Sequence, residues 1–385
     1  MFLTMLQKRN PKLVNTIFKM HQQGLIAPDS IVLDLETIKQ NARLLAQKAI
    51  DYHLKPFFIT KQIGFNPLVA KAIIEAGFKG VVCVDFKEAM MCMRHQLPIA
   101  HVGHLVQIPE AMIAKILNYG VDFFTIYSIE KAQKINAIAA KLDKKQAILI
   151  KLIEDNGTIY KGQEGGFSLA QLPALIDRLK TMAQINIAGL TAFPCWLYDP
   201  KLKKITATKN VELILNAKKL LAEHNIFVTE LNMPSANAWS SIADIANIGG
   251  THLEAGHSLT GTTPMHAYHD DLAEIPAMAY ISEISHHYQK DSYFYGGGCY
   301  RRYPIHQALI GSSSNDCTSV DVNEFDATSI DYHLSTPHYF PIGASVIACF
   351  RTQVFVTRSE VLVIDQIQSD NPVIIGTFSP LGDVR

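Results

Sequence analysis

The sequence predicts an α/β fold in which a (β/α)8 TIM barrel is followed by a C-terminal β-domain. Eight short apolar runs alternate with seven helical segments between residues 57 and 256, which is the order of elements in a parallel barrel. The runs lack clean period-two alternation, as expected of parallel strands that are buried on both faces. From about residue 270 the pattern changes to β-runs separated by turns.

The elements follow one another in a regular order along the chain. A strand at 30–35 and a helix precede the first of the eight barrel strands. The predicted barrel strands are FFIT (57–60), GVVCV (80–84), IAHVGH (99–104), VDFFTIY (121–127), AILIKL (147–152), INIAGLTAF (185–193), FVTELNM (227–233) and THLEAG (251–256). We therefore divide the chain into a helical extension (1–27), a barrel (28–270) and a β-domain (271–385).

A doubly wound sheet is the alternative arrangement of such elements. Its dinucleotide-binding form carries a G-x-G-x-x-G turn after the first strand, and other phosphate-binding forms carry a P-loop. No such turn follows the first strand, and no P-loop motif occurs in the sequence. The barrel is therefore the favoured fold.

Composition excludes several classes of function. The 385 residues are 48% hydrophobic and 18% charged, as in a folded protein that is large enough for two domains. Thirty-five basic residues balance thirty-five acidic ones, which argues against a nucleic-acid or membrane-surface partner. No apolar run approaches a membrane span, and the first residues do not resemble a secretion signal. The six scattered cysteines suit reduced thiols, so we expect a cytoplasmic protein.

Candidate chemistry lies at the carboxyl ends of the predicted strands, where barrel enzymes place their catalytic groups. The first strand ends at Lys61, where apolar neighbours and a turn would keep the amine short of water and suit it to a Schiff base. The last two strands lead into PSAN and AGHSLTG, which fit a phosphate site, although helix capping and turns are the better explanation of each segment taken alone. Together these features suggest pyridoxal 5′-phosphate (PLP). A lysine aldolase that binds a phosphorylated sugar is the barrel alternative.

Longer motifs support the PLP interpretation. They are VLDLETIKQN, FITKQIGFNP, VDFKEAM, GHLVQIP, GQEGGF, GLTAFPCW, NMPSA, THLEAGHSLTGTTP, EIPAMAYISEISHH, YGGGCYRR and FRTQVFVTRSE. Through them the sequence resembles the alanine racemase-like, fold-type III PLP enzymes. Within these it resembles a bacterial group of amino-acid racemases known as YhfX-type proteins. The resemblance covers nearly the whole chain from about residue 25.

The resemblance implies roles for five barrel residues. Lys61 matches the lysine that forms the Schiff base with the cofactor and moves the Cα proton of the substrate. Ser235 and Gly256 match residues that hold the phosphate. Glu254 matches the residue that faces the pyridine nitrogen. Phe193 falls where alanine racemases carry a histidine packed on the cofactor ring, although a core aromatic explains it equally well.

The resemblance also implies a homodimer, in which the β-domain of a second subunit completes each active site. In this family the β-domain supplies a tyrosine as the second base, and Tyr300 is the candidate here. Cys299 is an alternative base. Arg301 and Arg302 are candidates for holding the substrate carboxylate, because a guanidinium matches carboxylate geometry.

Four positions depart from the alanine racemase pattern. Glu254 stands where alanine racemases carry arginine, and a carboxylate there keeps the pyridine nitrogen protonated and the ring a stronger electron sink. His257 fills the place of the phosphate-binding arginine of related decarboxylases, so we include it among the cofactor-binding residues. Phe65 replaces a tyrosine, and Glu164 replaces an arginine. Alanine is therefore an unsafe substrate assignment.

The resemblance implies an amino-acid racemase or epimerase that acts by two-base exchange of the Cα proton. Decarboxylation, or aldol or elimination chemistry on amino acids, stays open, as does a non-catalytic PLP carrier. The β-domain argues against the carrier, because related carriers are barrels without one. We predict no metal site, although His286, His287 and the segment HAYHDD (266–271) have ligand-like side chains.

Overall fold

The computed structural model describes residues 1–326 and 328–385. Its helices lie between and before the strands, and most begin at a side-chain cap or a proline. They are α1 (Phe2–Arg9), α2 (Pro11–Gln22), α3 (Leu35–Asp51), α4 (Pro67–Glu75), α5 (Phe86–Arg94), α6 (Glu110–Tyr119), α7 (Ile129–Lys141), α8 (Leu172–Lys180), α9 (Lys209–Glu223) and α10 (Ile242–Asn247). None of the helices in this part of the chain is long and apolar enough to cross a membrane.

The strands form two large sheets and one small hairpin. They are β1 (Ser30–Asp34), β2 (Lys55–Phe58), β3 (Gly80–Val82), β4 (Ile99–Val102), β5 (Phe123–Ile126), β6 (Gln146–Lys151), β7 (Ile185–Thr191), β8 (Trp196–Asp199), β9 (Lys204–Ala207), β10 (Glu230–Asn232), β11 (His252–Ala255), β12 (Met278–Tyr288), β13 (Asp291–Tyr295), β14 (Gln307–Ser313), β15 (Asp316–Asp321), β16 (His333–Thr336), β17 (Ser345–Ala348), β18 (Glu360–Asp365) and β19 (Val373–Phe378).

The chain divides into two compact units. The barrel unit comprises residues 45–60 and 77–256. The β unit comprises residues 1–44, 61–76 and 257–385. The predicted domain boundaries at residues 27 and 270 stay predictions.

The barrel unit contains the eight predicted strands in one parallel sheet. The strand order is β11-β2-β3-β4-β5-β6-β7-β10, and the Thr251 amide beside β11 donates to the Leu231 carbonyl of β10 at 3.0 Å. Inward-facing apolar side chains fill the interior; they are Phe57, Val82, Ala100, Phe123, Leu149 and Ala188. The prediction of a (β/α)8 barrel is confirmed. The hairpin β8–β9 follows the sixth barrel strand and is absent from the strands predicted from the sequence.

The β unit is built on an antiparallel sheet that also receives the first strand of the chain. Its order is β15-β14-β17-β12-β1-β18-β19; β13 also pairs with β12, and β16 pairs with β13. Strand β1 pairs antiparallel with β12 and parallel with β18. Helices α1 and α2 bury apolar side chains in the same core as this sheet, including Leu6, Leu13 and Ile17. The predicted C-terminal β-domain is confirmed, and the N-terminal helices share its core.

Candidate active site

Glu254 places a buried carboxylate at the carboxyl end of β11, the last barrel strand. Its Oε1 accepts a hydrogen bond from Asn232 Nδ2 at 2.9 Å and lies 3.2 Å from His101 Nδ1. Its backbone amide donates to Asn237 Oδ1 at 2.8 Å. Its Oε2 is buried and has no hydrogen-bond partner among the residues that the structure describes. One carboxylate oxygen is therefore fixed, and the other is available to a donor on a ligand.

The charge of Glu254 persists despite its burial. Burial raises the pKa of this carboxyl. The hydrogen bond from His101 and the electrostatic interactions with His104 and His252 lower it by more, so that the pKa is about 2. A buried carboxylate with an unsatisfied oxygen is costly unless a donor pairs with it. The position therefore favours a ligand that presents an N–H group.

Aromatic rings connect Glu254 to Phe193. His101 hydrogen-bonds Thr125 Oγ1 through Nε2, and its ring centroid lies 5.1 Å from that of His104. His104 in turn meets Phe193 edge-on at 5.6 Å. Phe193 also contacts Tyr160, at 5.7 Å between centroids. Phe193 is therefore part of an aromatic wall on the side of the barrel that carries Glu254.

The turn at Ser235 has a strained backbone. Ser235 and Ala236 both adopt positive φ angles, 84° and 44°, although neither is glycine. Asn237 holds this turn by donating from Nδ2 to the Ser235 carbonyl at 2.9 Å, while its Oδ1 binds the Glu254 amide. Non-glycine residues in this conformation cost of order 1 kcal/mol or more each and concentrate at binding sites.

The barrel unit thus brings together the residues that the sequence predicted in it. Glu254 is linked to Ser235 through Asn237 and to Phe193 through the two histidines. Gly256 is buried and follows β11 directly. These elements meet at one end of the barrel because the carboxyl ends of parallel strands share one face.

Glu88 fixes the backbone immediately before Lys61. Its Oε1 accepts hydrogen bonds from the amide of Thr60, at 3.1 Å, and from the Thr60 hydroxyl, and its Oε2 accepts from the Val84 amide at 2.5 Å. Burial raises the pKa of Glu88 to about 7, although these hydrogen bonds oppose the shift. Glu88 therefore clamps the segments that follow β2 and β3.

In the β unit, Lys61 begins a single 3-10 turn, Lys61–Ile63, and its charge acts on the buried His257. His257 Nδ1 lies 3.0 Å from Thr262 Oγ1, and its Nε2 lies 3.2 Å from Gln353 Nε2. Burial lowers the pKa of His257 well below its ordinary value, and the charges of Arg351 and Lys61 lower it further. His257 is therefore neutral, with both ring nitrogens engaged.

Tyr300 lies in a partly exposed aromatic group of the β unit. Its ring centroid is 6.0 Å from that of Tyr303, whose hydroxyl accepts a hydrogen bond from Arg351. The Arg351 guanidinium also lies over the Tyr303 ring at 4.6 Å. Burial raises the pKa of the neighbouring Cys299 thiol to about 11, which disfavours the thiolate that a base would require.

The two predicted arginines differ in setting from Arg351. Arg301 is exposed, donates to the Ser329 carbonyl at 2.8 Å and lies 5.1 Å from the Phe325 ring. Arg302 is also exposed, with its guanidinium 5.8 Å from the Tyr303 ring. Only Arg351, among these three, lowers the pKa of His257 through its charge.

Close packing explains the three glycines before Tyr300. A Cβ atom on Gly297 would lie 2.2 Å from Asp29 Oδ2, and one on Gly298 would lie 2.5 Å from the Tyr280 ring. Asp29 also accepts hydrogen bonds from the Tyr280 hydroxyl at 2.9 Å and from the Ser359 hydroxyl at 3.1 Å. The backbone of the YGGGCYRR segment therefore packs directly against Asp29 and Tyr280, which leave no room for a side chain at Gly297 or Gly298.

The two remaining departures from the alanine racemase pattern are also visible. Phe65 is buried and stacks on Phe355 at 5.3 Å, so it acts as a core residue of the β unit. Glu164 is exposed. The following Gly165 and Gly166 pack against Tyr127 and Lys151, where an added Cβ would lie 2.7 Å and 2.9 Å from their side chains.

The histidines with ligand-like spacing have other partners. His286 stacks on Tyr293 at 4.8 Å, and His287 Nε2 lies 2.7 Å from the Phe340 carbonyl. His266 Nδ1 lies 2.7 Å from Thr263 Oγ1. Within residues 1–326 and 328–385, no group of three or more His, Cys, Asp or Glu side chains could hold a metal ion.

Four residues of these networks were not predicted from the sequence: Glu88, His101, Asn237 and Arg351. Each lies in or beside a motif quoted above: VDFKEAM, the strand before GHLVQIP, the residue after NMPSA, and FRTQVFVTRSE. The sequence signal that could have identified them is a polar residue at the end of a predicted strand or within a motif rich in apolar residues.

Comparisons with known proteins give the family. Residues 33–264 match the family description "Alanine racemase, N-terminal domain", and residues 279–374 match "YhfX-like, C-terminal domain". The chain is 40% identical, over 100% of its length and 99% of the relative's length, to the "Uncharacterized protein YhfX" of Escherichia coli strain K12.

Solved structures share the fold at low sequence identity. An alanine racemase from Clostridium difficile 630, in complex with cycloserine, has a TM-score of 0.64 and 16% identity over 92% of this chain and 99% of that one. A D-threonine aldolase from Filomicrobium marinum has a TM-score of 0.67 and 12% identity, over 92% and 95%. A diaminopimelate decarboxylase from M. jannaschii, in co-complex with L-lysine, has a TM-score of 0.61 and 14% identity, over 95% and 93%.

These three enzymes catalyse different reactions on one fold, whose alanine racemase-family members depend on PLP. The family matches and the full-length relative together cover both units of the chain. The protein belongs to the alanine racemase-like family of fold-type III PLP enzymes, as a YhfX-type member.

Proposed function

We propose that the protein is a PLP-dependent amino-acid racemase or epimerase that exchanges the Cα proton between two bases. The observation that carries the cofactor assignment is the buried Glu254 carboxylate, which stays charged and leaves Oε2 without a partner among the described residues. Lys61, which begins the 3-10 turn three residues after the end of β2 rather than ending the strand as the sequence predicted, is the amine that anchors the cofactor in this proposal.

The residues of the barrel unit fit the cofactor. Glu254 Oε2 would accept a hydrogen bond from the protonated pyridine nitrogen. The backbone amides around Ser235 and Gly256 would hold the phosphate, and Phe193 would pack on the ring. When bound, the cofactor supplies an electron sink for negative charge that develops at the substrate Cα.

Lys61 and Tyr300 are the proposed bases. Lys61 would take and return a proton at Cα on one face of the substrate, and Tyr300 would do so on the other. Glu88 supports Lys61 by fixing Thr60, the residue before it. Tyr303 is a second candidate for the tyrosine base because its hydroxyl accepts a hydrogen bond from Arg351.

The substrate in this proposal is a free amino acid, as the L-lysine bound to the diaminopimelate decarboxylase neighbour suggests. Arg301 and Arg302 are the predicted carboxylate-binding residues, and Arg351 joins them because it is partly buried and acts on His257. A cytoplasmic homodimer with shared active sites is part of the same proposal.

A spectrum tests the anchor. Wild-type protein and the Lys61→Ala variant are loaded with PLP, and the visible absorption of the lysine-bound cofactor is recorded. We expect the band in the wild type and its loss in Lys61→Ala. Lys55→Ala is the control, because Lys55 begins β2, the strand that precedes Lys61, and pairs with Glu230 at 2.5 Å. A Lys61→Ala variant with the wild-type band would show that another residue anchors the cofactor.

A second candidate function, decarboxylation or aldol chemistry, is favoured by the acidic residue at position 254, because a protonated pyridine stabilises more demanding carbanions. Incubation of the holoprotein with single amino acids in D₂O separates the reactions. Deuterium at Cα together with inversion of configuration supports racemisation. Release of CO₂, of an aldehyde, or of ammonia with a keto acid assigns the protein to the decarboxylases, aldolases or dehydratases instead.

A further inference from the structure

His101 is a buried histidine of the barrel unit to which the proposed mechanism gives no role. It lies on β4 and is 1% exposed. Its Nδ1 lies 3.2 Å from Glu254 Oε1 on β11, and its Nε2 hydrogen-bonds Thr125 Oγ1 on β5. The imidazole therefore joins the buried carboxylate of one barrel strand to a buried hydroxyl of another.

The hydrogen bonds assign the protons of this group. Asn232 Nδ2, which can only donate, lies 2.9 Å from the same oxygen of Glu254. The pKa of Glu254 is about 2, so its carboxylate is ionised at neutral pH and can only accept. The proton between Glu254 and His101 therefore resides on Nδ1, and Nε2 of the neutral ring accepts the proton of the Thr125 hydroxyl.

A second buried glutamate of the barrel unit shows what the histidine changes. Glu88 is held by two backbone amides and one hydroxyl, and burial nevertheless raises its pKa to about 7. Burial also raises the pKa of Glu254, but the hydrogen bond from His101 is the largest of the influences that lower it, and the pKa is about 2. The partners of the two carboxyls, rather than their burial, account for the difference.

This difference decides where a shared proton would reside. Both side-chain donors bind Glu254 Oε1, which leaves Oε2 without a partner among the described residues. In the proposed orientation of the cofactor, Oε2 shares a proton with the pyridine nitrogen. A shared proton resides mainly on the group with the higher pKa. A carboxyl with the pKa of Glu88 would take the proton, whereas the ionised Glu254 leaves it on the ring.

The other titratable groups near Glu254 are His104, His252 and Cys195. Burial raises the pKa of the Cys195 thiol far above its ordinary value, so this neighbour stays uncharged. Burial lowers the pKa of His252, whose Nε2 lies 2.8 Å from the Glu230 carboxylate. His104 acts on Glu254 electrostatically. The histidine on β4 combines an electrostatic interaction with a hydrogen bond to the carboxylate.

We propose that His101 is a positioning residue of the reaction, which acts through Glu254 to hold a proton on the pyridine nitrogen of the bound cofactor. The inference rests on the proposed function for the orientation of the cofactor over Glu254. His101 does not touch the reacting atoms; it sets the strength of the electron sink that they use. Loss of His101 should therefore weaken the sink even though Glu254 is still present.

The tautomer of His101 tests the first step in full-length protein without cofactor. The wild type is labelled at its histidine ring nitrogens, and nitrogen NMR distinguishes protonated from unprotonated positions. The His101 signals are those that disappear in His101→Gln. We expect a protonated Nδ1. A bare Nδ1 would overturn the inference, because Glu254 would then have no donor in His101.

The second step is tested in protein loaded with PLP that is labelled at the pyridine nitrogen. Nitrogen NMR at neutral pH compares wild type, His101→Leu and His101→Gln. We expect a protonated pyridine nitrogen in the wild type and in His101→Gln, whose amide can still donate to Glu254, and an unprotonated one in His101→Leu. His252→Gln is the matched control and should keep the proton, because it replaces a buried histidine that pairs with Glu230.

The outcomes separate this inference from the proposed function. A protonated pyridine nitrogen in His101→Leu would overturn the inference, because Glu254 would then hold the proton on the ring unaided. An unprotonated nitrogen in the wild type would overturn both the inference and the proposed orientation of the cofactor. Protein that gives the expected signals but does not exchange the Cα proton of amino acids would support the inference and contradict the racemase reaction alone. If His101→Leu does not fold, the tautomer of the wild type decides.

Discussion

The two ends of the barrel hold similar residues in opposite electrostatic states. At the amino end, Glu230 accepts hydrogen bonds from Lys55, at 2.5 Å, and from His252, at 2.8 Å. At the carboxyl end, Glu254 Oε2 has no partner and Lys151 has no counter-ion among the described residues. A paired lysine and glutamate stabilise a fold, whereas the unpaired groups in the same barrel support our proposal that a ligand binds at the carboxyl end.

The aromatic surroundings sharpen the contrast. His252 is enclosed by the rings of Phe57 and Phe123, at 5.1 Å and 5.2 Å, and leaves Nδ1 as its unpaired atom within the described chain. Gln146 closes the same end by donating to the Val121 and Asp122 carbonyls at 3.3 Å. The paired residues thus lie at the amino end of the barrel and the candidate site lies at the carboxyl end, as expected of a TIM barrel.

The largest expected effect is on catalysis at the carboxyl end. Glu254→Gln removes the charge that would keep the pyridine nitrogen protonated, so we expect exchange of the substrate Cα proton to fall about 10²–10³-fold. The measurement is deuterium incorporation at Cα in D₂O, together with the visible spectrum of the loaded variant.

Glu230→Gln is the matched control for this substitution, because it removes a buried carboxylate from the other end of the same barrel. Its exchange rate should stay within about twofold of the wild type. Equal losses of activity in the two variants would erase the distinction between the ends.

The next effect is on stability at the amino end. Glu230→Gln leaves Lys55 and His252 without their shared carboxylate, so the free energy of unfolding should fall by about 2–3 kcal/mol, after a discount for the half-exposed Lys55. Chemical denaturation at pH 7 measures it.

The acid limb of the same experiment has a defined sign. Burial raises the pKa of Glu230 from its ordinary 4.5. The hydrogen bonds from His252 and Lys55 lower it by more, so that the pKa is about 2. The wild type should therefore lose this stabilisation as pH falls from about 4.5 towards 2, while Glu230→Gln should lack that step. A variant that unfolds in acid with the wild-type slope would contradict the assignment.

A gain of stability is expected from Lys151→Met. Burial lowers the pKa of Lys151 from 10.5 to about 8, so the charged amine destabilises the folded state at pH 7 by roughly 2–3 kcal/mol. The unfolded chain binds more protons between pH 8 and pH 10.5, so the wild type should gain stability across that window. The difference between the two proteins should therefore narrow at high pH, in denaturation curves recorded at pH 7, 9 and 10.5.

Much of the barrel could be predicted from the sequence, because buried parallel strands appear as short apolar runs and their order fixes which ends meet. The strand at 30–35 was predicted, but its place between β12 and β18 was not, because that pairing joins residues more than 240 positions apart. The hairpin β8–β9 was missed because WLYDPKLKKITA has the polarity of a loop.

The candidate site was predictable only where one residue carries the signal. Lys61, Ser235 and Glu254 stand at strand ends in recognisable motifs. The sequence predicts Lys151 as part of the apolar strand AILIKL. Its lack of a counter-ion is not visible there, because it depends on Tyr127 and Cys195 from other elements. Unpaired atoms are properties of a three-dimensional neighbourhood, which residue spacing does not contain.

The smallest expected effect concerns Glu88. This residue lies at the carboxyl end of the barrel but has hydrogen-bond partners for both carboxylate oxygens, unlike Glu254 at the same end. Burial raises its pKa from 4.5 to about 7. The stabilisation by the protonated folded form is complete below pH 4.5 and is lost as pH rises through 7, by about 1 kcal/mol between pH 6 and pH 8. Glu88→Gln should lack this slope in denaturation curves taken across that range.

Asp85→Asn controls for the position of Glu88 at the start of α5. Asp85 caps that helix by accepting from the Glu88 amide at 2.9 Å, and asparagine caps equally well, so the slope should survive. If Glu88 holds Thr60 and thereby Lys61, its replacement should also shift the pH dependence of Cα exchange while leaving substrate affinity unchanged. If Glu88→Gln loses the pH dependence of unfolding but keeps the wild-type pH dependence of Cα exchange, then Glu88 contributes to stability alone. The proposed functional groups at the carboxyl end would then be the unpaired ones.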